Sequence, residues 1–178
     1  SDIFSAENVQ KDLYLLKDKI GQKIACSDLN IIDNPHMEGG FASNPFDGEG
    51  YPTQMKKVVE NGILRTYLHN LKTSEKDGVS STGNASRGSY KSTIGISPSN
   101  FFIENGTYSM ENMVKSIEKG LLLIDLQGLH SGLNSVSGDF SLSCYGYLID
   151  DGKISKPVNQ ITVSGNFFDM IKDIEMVG

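Results

Sequence analysis

Two dipeptides constrain this chain more than any other feature: Asn61-Gly62 and Asp151-Gly152, each set between runs that suit a strand. A two-residue hairpin turn needs positive φ at its central positions, which Asn, Asp and Gly tolerate best. Lys56–Val59 and Ile63–His69 are therefore expected to pair across Glu60-Asn61-Gly62. A strand starting at Phe140 should likewise return through Asp150-Asp151-Gly152 into Lys153–Ser164. In that strand Phe140, Leu142 and Cys144 alternate with Ser141, Ser143 and Tyr145, the period of a half-buried strand. Leu29–Asp33, Phe101–Glu104 and the apolar run Leu121–Leu126 are further strand candidates. Strands joined by hairpins make antiparallel sheets, and no βαβ alternation long enough for a doubly wound sheet is present.

Helices are few and short. Ser5 precedes Val9, Leu13, Leu16 and Ile20, whose spacing places all four on one face of a helix starting near Ala6 and ending at Gly21. Ser109 caps a second helix carrying Met110, Met113, Val114 and Ile117, with Gly120 as its stop. Phe167, Phe168, Met170, Ile171 and Ile174 mark a last one. The stretch 34–53, rich in Gly, Pro and Asn, reads as a long loop, as do most of Lys72–Asn100 and Gly128–Gly138. The expectation is a single α+β domain over residues 1–178, with a largely antiparallel sheet, about three short helices and about seven strands.

Charge and composition exclude several function classes. The net charge is −6 and no window gathers a Lys/Arg cluster, so direct nucleic-acid binding is not expected. No apolar run approaches the roughly 20 residues of a membrane helix and no signal peptide opens the chain, so neither a membrane span nor secretion is expected. The sequons Asn84-Ala85-Ser86 and Asn105-Gly106-Thr107 then have no role as glycosylation sites. Cys26 and Cys144 are too few for a disulfide framework and are expected to be reduced and buried.

The search for chemistry yields a short set of candidates. His36, His69 and His130 lie far apart, and no H-E-x-x-H or similar pattern places two metal ligands on one helical face. His69, at the end of a strand, reads as a surface or half-buried residue, whereas the glycines around His130 would allow a ligand or peptide to approach it. Asp47 and Glu49 flank Gly48, as a pair of carboxylates for a cation or as an ordinary turn. Thr82-Gly83-Asn84 followed by Arg87 combines backbone amides, a carboxamide and a guanidinium, a set able to bind a carboxylate or peptide terminus, or else a turn fixing two strands. Asp139 and Ser141 open a strand, but no G-x-S-x-G elbow surrounds any serine, and neither G-x-G-x-x-G nor a P-loop occurs.

Several segments, in order, resemble the C-terminal domain of the TldD/PmbA family. They are Asn44-Pro45-Phe46-Asp47-Gly48-Glu49-Gly50-Tyr51-Pro52-Thr53, Val59-Glu60-Asn61-Gly62-Ile63-Leu64 and Thr82-Gly83-Asn84-Ala85. Gln127-Gly128-Leu129-His130-Ser131-Gly132-Leu133-Asn134, Ser137-Gly138-Asp139-Phe140-Ser141, and Gly152-Lys153-Ile154 with Pro157–Asn166 continue the likeness over nearly the whole chain. The resemblance implies a cytoplasmic bacterial or archaeal protein, named partly for a link to DNA gyrase modulation, although this acidic chain should not touch DNA directly. It also implies a zinc metallopeptidase complex, in which a TldD member with an HExxxH helix and a distant Cys pairs with a PmbA/TldE subunit lacking the zinc ligands. Such complexes are implied to process small, poorly folded peptides.

The departures point to the PmbA/TldE type: Ala85-Ser86-Arg87 and Ser97-Pro98-Ser99-Asn100 stand where TldD members carry paired arginines and an Arg-Met-Thr-Asn stretch. By the same resemblance the HExxxH helix would fall at or before residue 1 and the Cys region past Gly178, so the N-terminal half and extreme C-terminus lie outside this chain. The expectations are therefore no catalytic residue and no cofactor here, with zinc only on a TldD-type partner. The expected partners are a TldD-like subunit or a second copy, and a peptide substrate. Loops 34–53, 82–88 and 127–139 would line the cleft or the dimer seam, with Asp47, Glu49, Thr82, Asn84, Arg87, His130, Asn134 and Asp139 as the contact residues. Two other readings remain: a parent that is itself a peptidase through residues outside this chain, or a stand-alone peptide-binding module.

Overall fold

The computed structural model describes residues 2–11 and 15–178, with backbone alone at Asp2 and His130. It is a mixed α+β structure whose sheets are antiparallel, divided into two compact units, Ser1–Glu104 and Asn105–Gly178.

The first unit contains α1 (Ala6–Val9), β1 (Ile31–Asp33), β2 (Lys56–Glu60), β3 (Ile63–Leu64), α2 (Leu71–Asp77), β4 (Ala85–Ser86), β5 (Gly95–Ile96) and β6 (Phe101–Ile103). The order β3-β2-β1-β6 forms its main sheet, and β4 and β5 form a separate ribbon. The expected hairpin is present: Val59 pairs with Leu64 across Asn61 and Gly62, whose φ values are 51° and 75°. Gly62 is needed for a second reason, since a Cβ there would lie 2.3 Å from the Cys26 carbonyl oxygen. Successive strand residues face opposite sides, yet Val58 and Val59 are both 0% exposed, so this sheet is covered on both faces.

Four local expectations for this unit are corrected. The helix predicted from Ala6 to Ile20 stops at Val9; Leu13 lies outside the described residues, and Ile20 is exposed while Leu16 is buried. Tertiary contacts claim the segment instead: the Tyr67 hydroxyl donates to the Leu16 carbonyl, and Gly21 and Gln22 pair with Leu64. The strand predicted over Ile63–His69 ends at Leu64, and His69 is fully buried. Lys72–Asn100, read as mostly loop, opens with α2, which buries only Thr73 and Ser74 and so has no apolar periodicity to betray it. Its signal lay in its ends: Asn70 and Thr73 form a reciprocal capping box, and Gly78 closes the helix at φ 67°. Cys26 is half-buried rather than buried; Cys144, in the second unit, is buried, and both are free thiols.

The second unit contains α3 (Met110–Lys115), β7 (Lys119–Gln127), α4 (Leu129–Gly132), β8 (Asp139–Asp150), β9 (Lys153–Asn166) and α5 (Phe167–Met170). Its sheet has the order β7-β8-β9, with Asp151 and Gly152 at φ 51° and 72° in the expected turn. Leu142 and Cys144 are buried along β8 and Phe140 is half-buried, while Ser141, Ser143 and Tyr145 are exposed, as the alternation predicts; Ile149 is buried out of phase, past an irregularity in the β8–β9 register. Gly146 lets β7 approach, because a Cβ there would lie 1.9 Å from the Leu122 carbonyl oxygen. Gly120 does not stop α3, which ends at Lys115 with Ser116 as its cap; Gly120 is already within β7. The predicted loop 128–138 contains α4.

Candidate functional site

The site in the first unit is built outward from Asp33, the last residue of β1, which is 0% exposed. Register places it opposite Lys56 at the start of β2, and the Lys56 ammonium lies 2.8 Å from Asp33 Oδ2. Asn84 Nδ2 donates to the same oxygen at 2.7 Å. Ser99 supplies both its amide, at 2.7 Å, and its hydroxyl, at 2.6 Å, to Asp33 Oδ1. A buried carboxylate is tolerable only when paired and hydrogen-bonded, and this one has both. Asn84 completes the network: its Oδ1 accepts from Lys56 Nζ at 3.1 Å and from Thr82 Oγ1 at 2.7 Å, and its Nδ2 also reaches the Ser97 carbonyl at 3.1 Å. Thr82 Oγ1 in turn accepts from the His69 amide at 2.7 Å.

A second layer closes over the first. Asp47 Oδ1 accepts from the amides of Glu49 and Tyr51, both at 2.9 Å, and Oδ2 from the amide of Ala85 at 3.0 Å. The Gly48 amide donates to the Ala85 carbonyl at 2.8 Å, so the loop grips β4 along its backbone. Gly83, at φ 69°, lets Pro52 and Thr53 close in, since a Cβ there would sit 2.7 Å from the Pro52 carbonyl oxygen. Asp47 and Glu49 do not act as a pair: Glu49 Oε2 accepts from the amide of Leu71, the first residue of α2, at 2.8 Å, where a carboxylate favours the helix dipole.

Between these layers lies an open cleft of about 370 Å³, lined among others by Asn44, Phe46, Asp47, Asn84, Ser86 and Arg87. Of the sequence-predicted residues, Asp47, Asn84 and Arg87 meet here, Thr82 is bonded beneath Asn84, and Glu49 braces the loop from α2. Arg87 is exposed and has no hydrogen-bond or ion-pair partner among the described residues. Asp33, Lys56 and Ser99 were not among the site residues the sequence suggested, although Ser99 stood in the stretch 97–100 that marks the type. The one signal at Asp33 was a charged residue closing an apolar run, and the pairing that gives it meaning joins segments far apart in the chain.

His130, Asn134 and Asp139 belong to the second unit. His130 lies in α4. Asn134 Oδ1 caps the following turn by accepting from the amides of Val136, at 3.0 Å, and Ser137, at 3.2 Å. Asp139 accepts from Ser137 Oγ at 2.7 Å and Asn166 Nδ2 at 2.9 Å, and these two bonds hold its carboxyl below the usual carboxylate range. The polar residues of this segment thus tie the β8 start to the β9 end.

The described residues do not fit a zinc site. No three His, Cys, Asp or Glu side chains among them converge to hold a metal ion. The carboxylates of Asp33 and Asp47 are already engaged by four and three donors in turn. His69 is buried with Nδ1 unpartnered, and burial pushes its imidazole below the ordinary value, with Asp77 partly opposing. No helix among the described residues is long and apolar enough to cross a membrane.

Comparison with known proteins places these observations in context. A family model described as the PmbA/TldA metallopeptidase C-terminal domain matches residues 1–178. The metalloprotease PmbA of Escherichia coli is 35% identical over 95% of this chain and 35% of its own length. An uncharacterised protein of Methanocaldococcus jannaschii is 38% identical over 96% of this chain and 39% of its own. Among solved structures, a Thermotoga maritima protein described as a candidate modulator of a DNA gyrase superposes with a TM-score of 0.92 at 44% identity, over 99% of this chain and 40% of that one. TldE of Thermococcus kodakarensis superposes at 0.86 with 28% identity, over 96% of this chain and 38% of that one. The chain thus spans no more than two fifths of the length of these relatives.

Proposed function

The chain belongs to the PmbA/TldA metallopeptidase C-terminal domain family, and from that premise we propose that it serves the non-catalytic, PmbA/TldE-type subunit of a cytoplasmic zinc metallopeptidase complex that processes small unfolded peptides. The observation that carries the reading is the character of the cleft. Its one acidic lining residue, Asp47, is locked into structural hydrogen bonds, while its free groups are a guanidinium, a carboxamide and a hydroxyl. Such a surface can hold a peptide, and it leaves the metal chemistry to a TldD-like partner.

The second unit supports a subunit role. Leu121, Leu123, Ile124 and Leu126 on β7 and Ile154 on β9 are between 37% and 52% exposed. A sheet that leaves this many large apolar side chains in water is one built for a partner, here assigned to the TldD-like subunit. The test is metal content and peptidase activity of the full-length protein, alone and mixed with its TldD-like partner. Zinc and cleavage only in the mixture, with the metal on the partner, is the expected outcome. Stoichiometric zinc and cleavage by the protein alone would overturn the reading and make the parent itself the peptidase.

A further inference from the structure

The cleft in the first unit divides its polar groups sharply into two kinds. Asn84 and Ser99 line it but are bonded to the buried Asp33, and the Asp47 carboxylate is engaged by three backbone amides. Toward the opening the side chains of Asn44, Ser86 and Arg87 have no partner among the described residues, nor does the Arg87 amide. These free groups are overwhelmingly donors, since a guanidinium offers five N–H and accepts nothing. Two charged groups line the cleft: the Asp47 carboxylate, which is engaged by three N–H groups, and Arg87, which has no hydrogen-bond or ion-pair partner among the described residues. The complementary ligand is an oxyanion.

Two further features choose among oxyanions. Phe46, 54% exposed, lines the cleft with Pro35, Ala42 and Pro98, so the donors stand beside an apolar wall. A planar guanidinium matches a carboxylate by two parallel hydrogen bonds, and an apolar wall suits a side chain attached to it. The volume, about 370 Å³, is at the small end of ligand sites; it takes a terminal residue rather than a length of extended chain. We propose that this cleft receives the C-terminal carboxylate of a peptide whose last side chain is apolar, with Arg87 clamping the carboxylate and Phe46 packing on the side chain. This deepens the peptide-handling reading above and rests on it. The subunit would then anchor the free end of a substrate.

The experiment is a calorimetric titration of the full-length protein with acetyl-Ala-Ala-Leu as the free acid and as the C-terminal amide. The acid is expected to bind about tenfold or more tighter than the amide, the range of a charge-assisted hydrogen bond. Arg87→Ala should abolish that difference and Arg87→Lys should restore only part of it, while Phe46→Ala should weaken the acid form. Because Arg87 is exposed and unpartnered among the described residues, these variants keep the fold, which circular dichroism would verify. Equal affinity for acid and amide, an acid affinity untouched by Arg87→Ala, or inorganic phosphate displacing the peptide at equal concentration would each overturn the assignment. Association with a TldD-like subunit is measured separately, so loss of terminus binding with pairing intact rejects this inference alone.

Discussion

Asp33 carries a negative charge at a position with 0% exposure, and the Lys56 side chain is 9% exposed beside it. Removing one partner of such a pair leaves an uncompensated buried charge, which costs about 3–5 kcal/mol. Asp33→Ala is thus expected to lower stability by that amount in urea titration, and Asp33→Asn by less, because it retains an acceptor for Ser99. A loss under about 1 kcal/mol for Asp33→Ala would mean the pair is not formed. His69 sets a pH dependence of opposite origin. Its folded value lies below the ordinary 6.5 because burial disfavours the charged ring, so the unfolded chain binds the proton more readily. Stability is full above that ordinary value and falls as pH drops below it toward the folded value. His69→Gln should flatten the melting temperature between pH 7.5 and about 5, and an unchanged slope in the variant would remove His69 as the cause.

Turns and caps decide this fold at the scale of elements. The Asn61-Gly62 turn both reverses β2 into β3 and seats itself under the backbone of Ala25 and Cys26. Gly62→Ala would meet positive φ and a carbonyl at 2.3 Å together, so it is expected to destabilise by more than the roughly 1 kcal/mol of φ strain alone. A variant as stable as the parent in thermal unfolding would contradict that packing. The helix α2 depends on its ends because its buried face is polar. Asn70→Ala removes the cap from the Thr73 amide and should lower stability by about 1 kcal/mol, read most directly as faster amide exchange across residues 71–77. Normal protection there would show that Glu49, which accepts from the Leu71 amide, suffices as the cap.

The molecule as a whole has two compact units of different character. The first wraps its sheet on both faces, whereas the second leaves the apolar side chains of β7 and β9 in water. A charge placed there should act on association and not on folding. Ile124, 52% exposed at the irregularity between Leu123 and Asp125, is the residue to change. Ile124→Asp is expected to leave the circular dichroism spectrum unaltered and to weaken co-elution with a TldD-like subunit by about tenfold or more. Undiminished co-elution would move the seam to another surface.

The hairpins at Asn61-Gly62 and Asp151-Gly152, the alternation along β8 and the α+β class were legible in the sequence, because turn chemistry and side-chain period act over a few neighbouring residues. Of the predicted contact residues, Asp47, Asn84 and Arg87 line one cleft, and the turn alternative offered for Asp47 is the one its backbone bonds match. Local pattern failed where distant groups intervened. The face spaced for a helix from Val9 to Ile20 was taken over by the Tyr67 hydroxyl and the Leu64 backbone, and α2 hid because polar residues fill its buried side. The centre of the site was settled by tertiary structure alone: Asp33, Lys56, Asn84 and Ser99 become one network only when β1 and β2 register and the 82–84 and 97–99 segments close over them. Residues 51 and 66 positions apart in the chain share one carboxylate, and no short-range periodicity encodes that meeting.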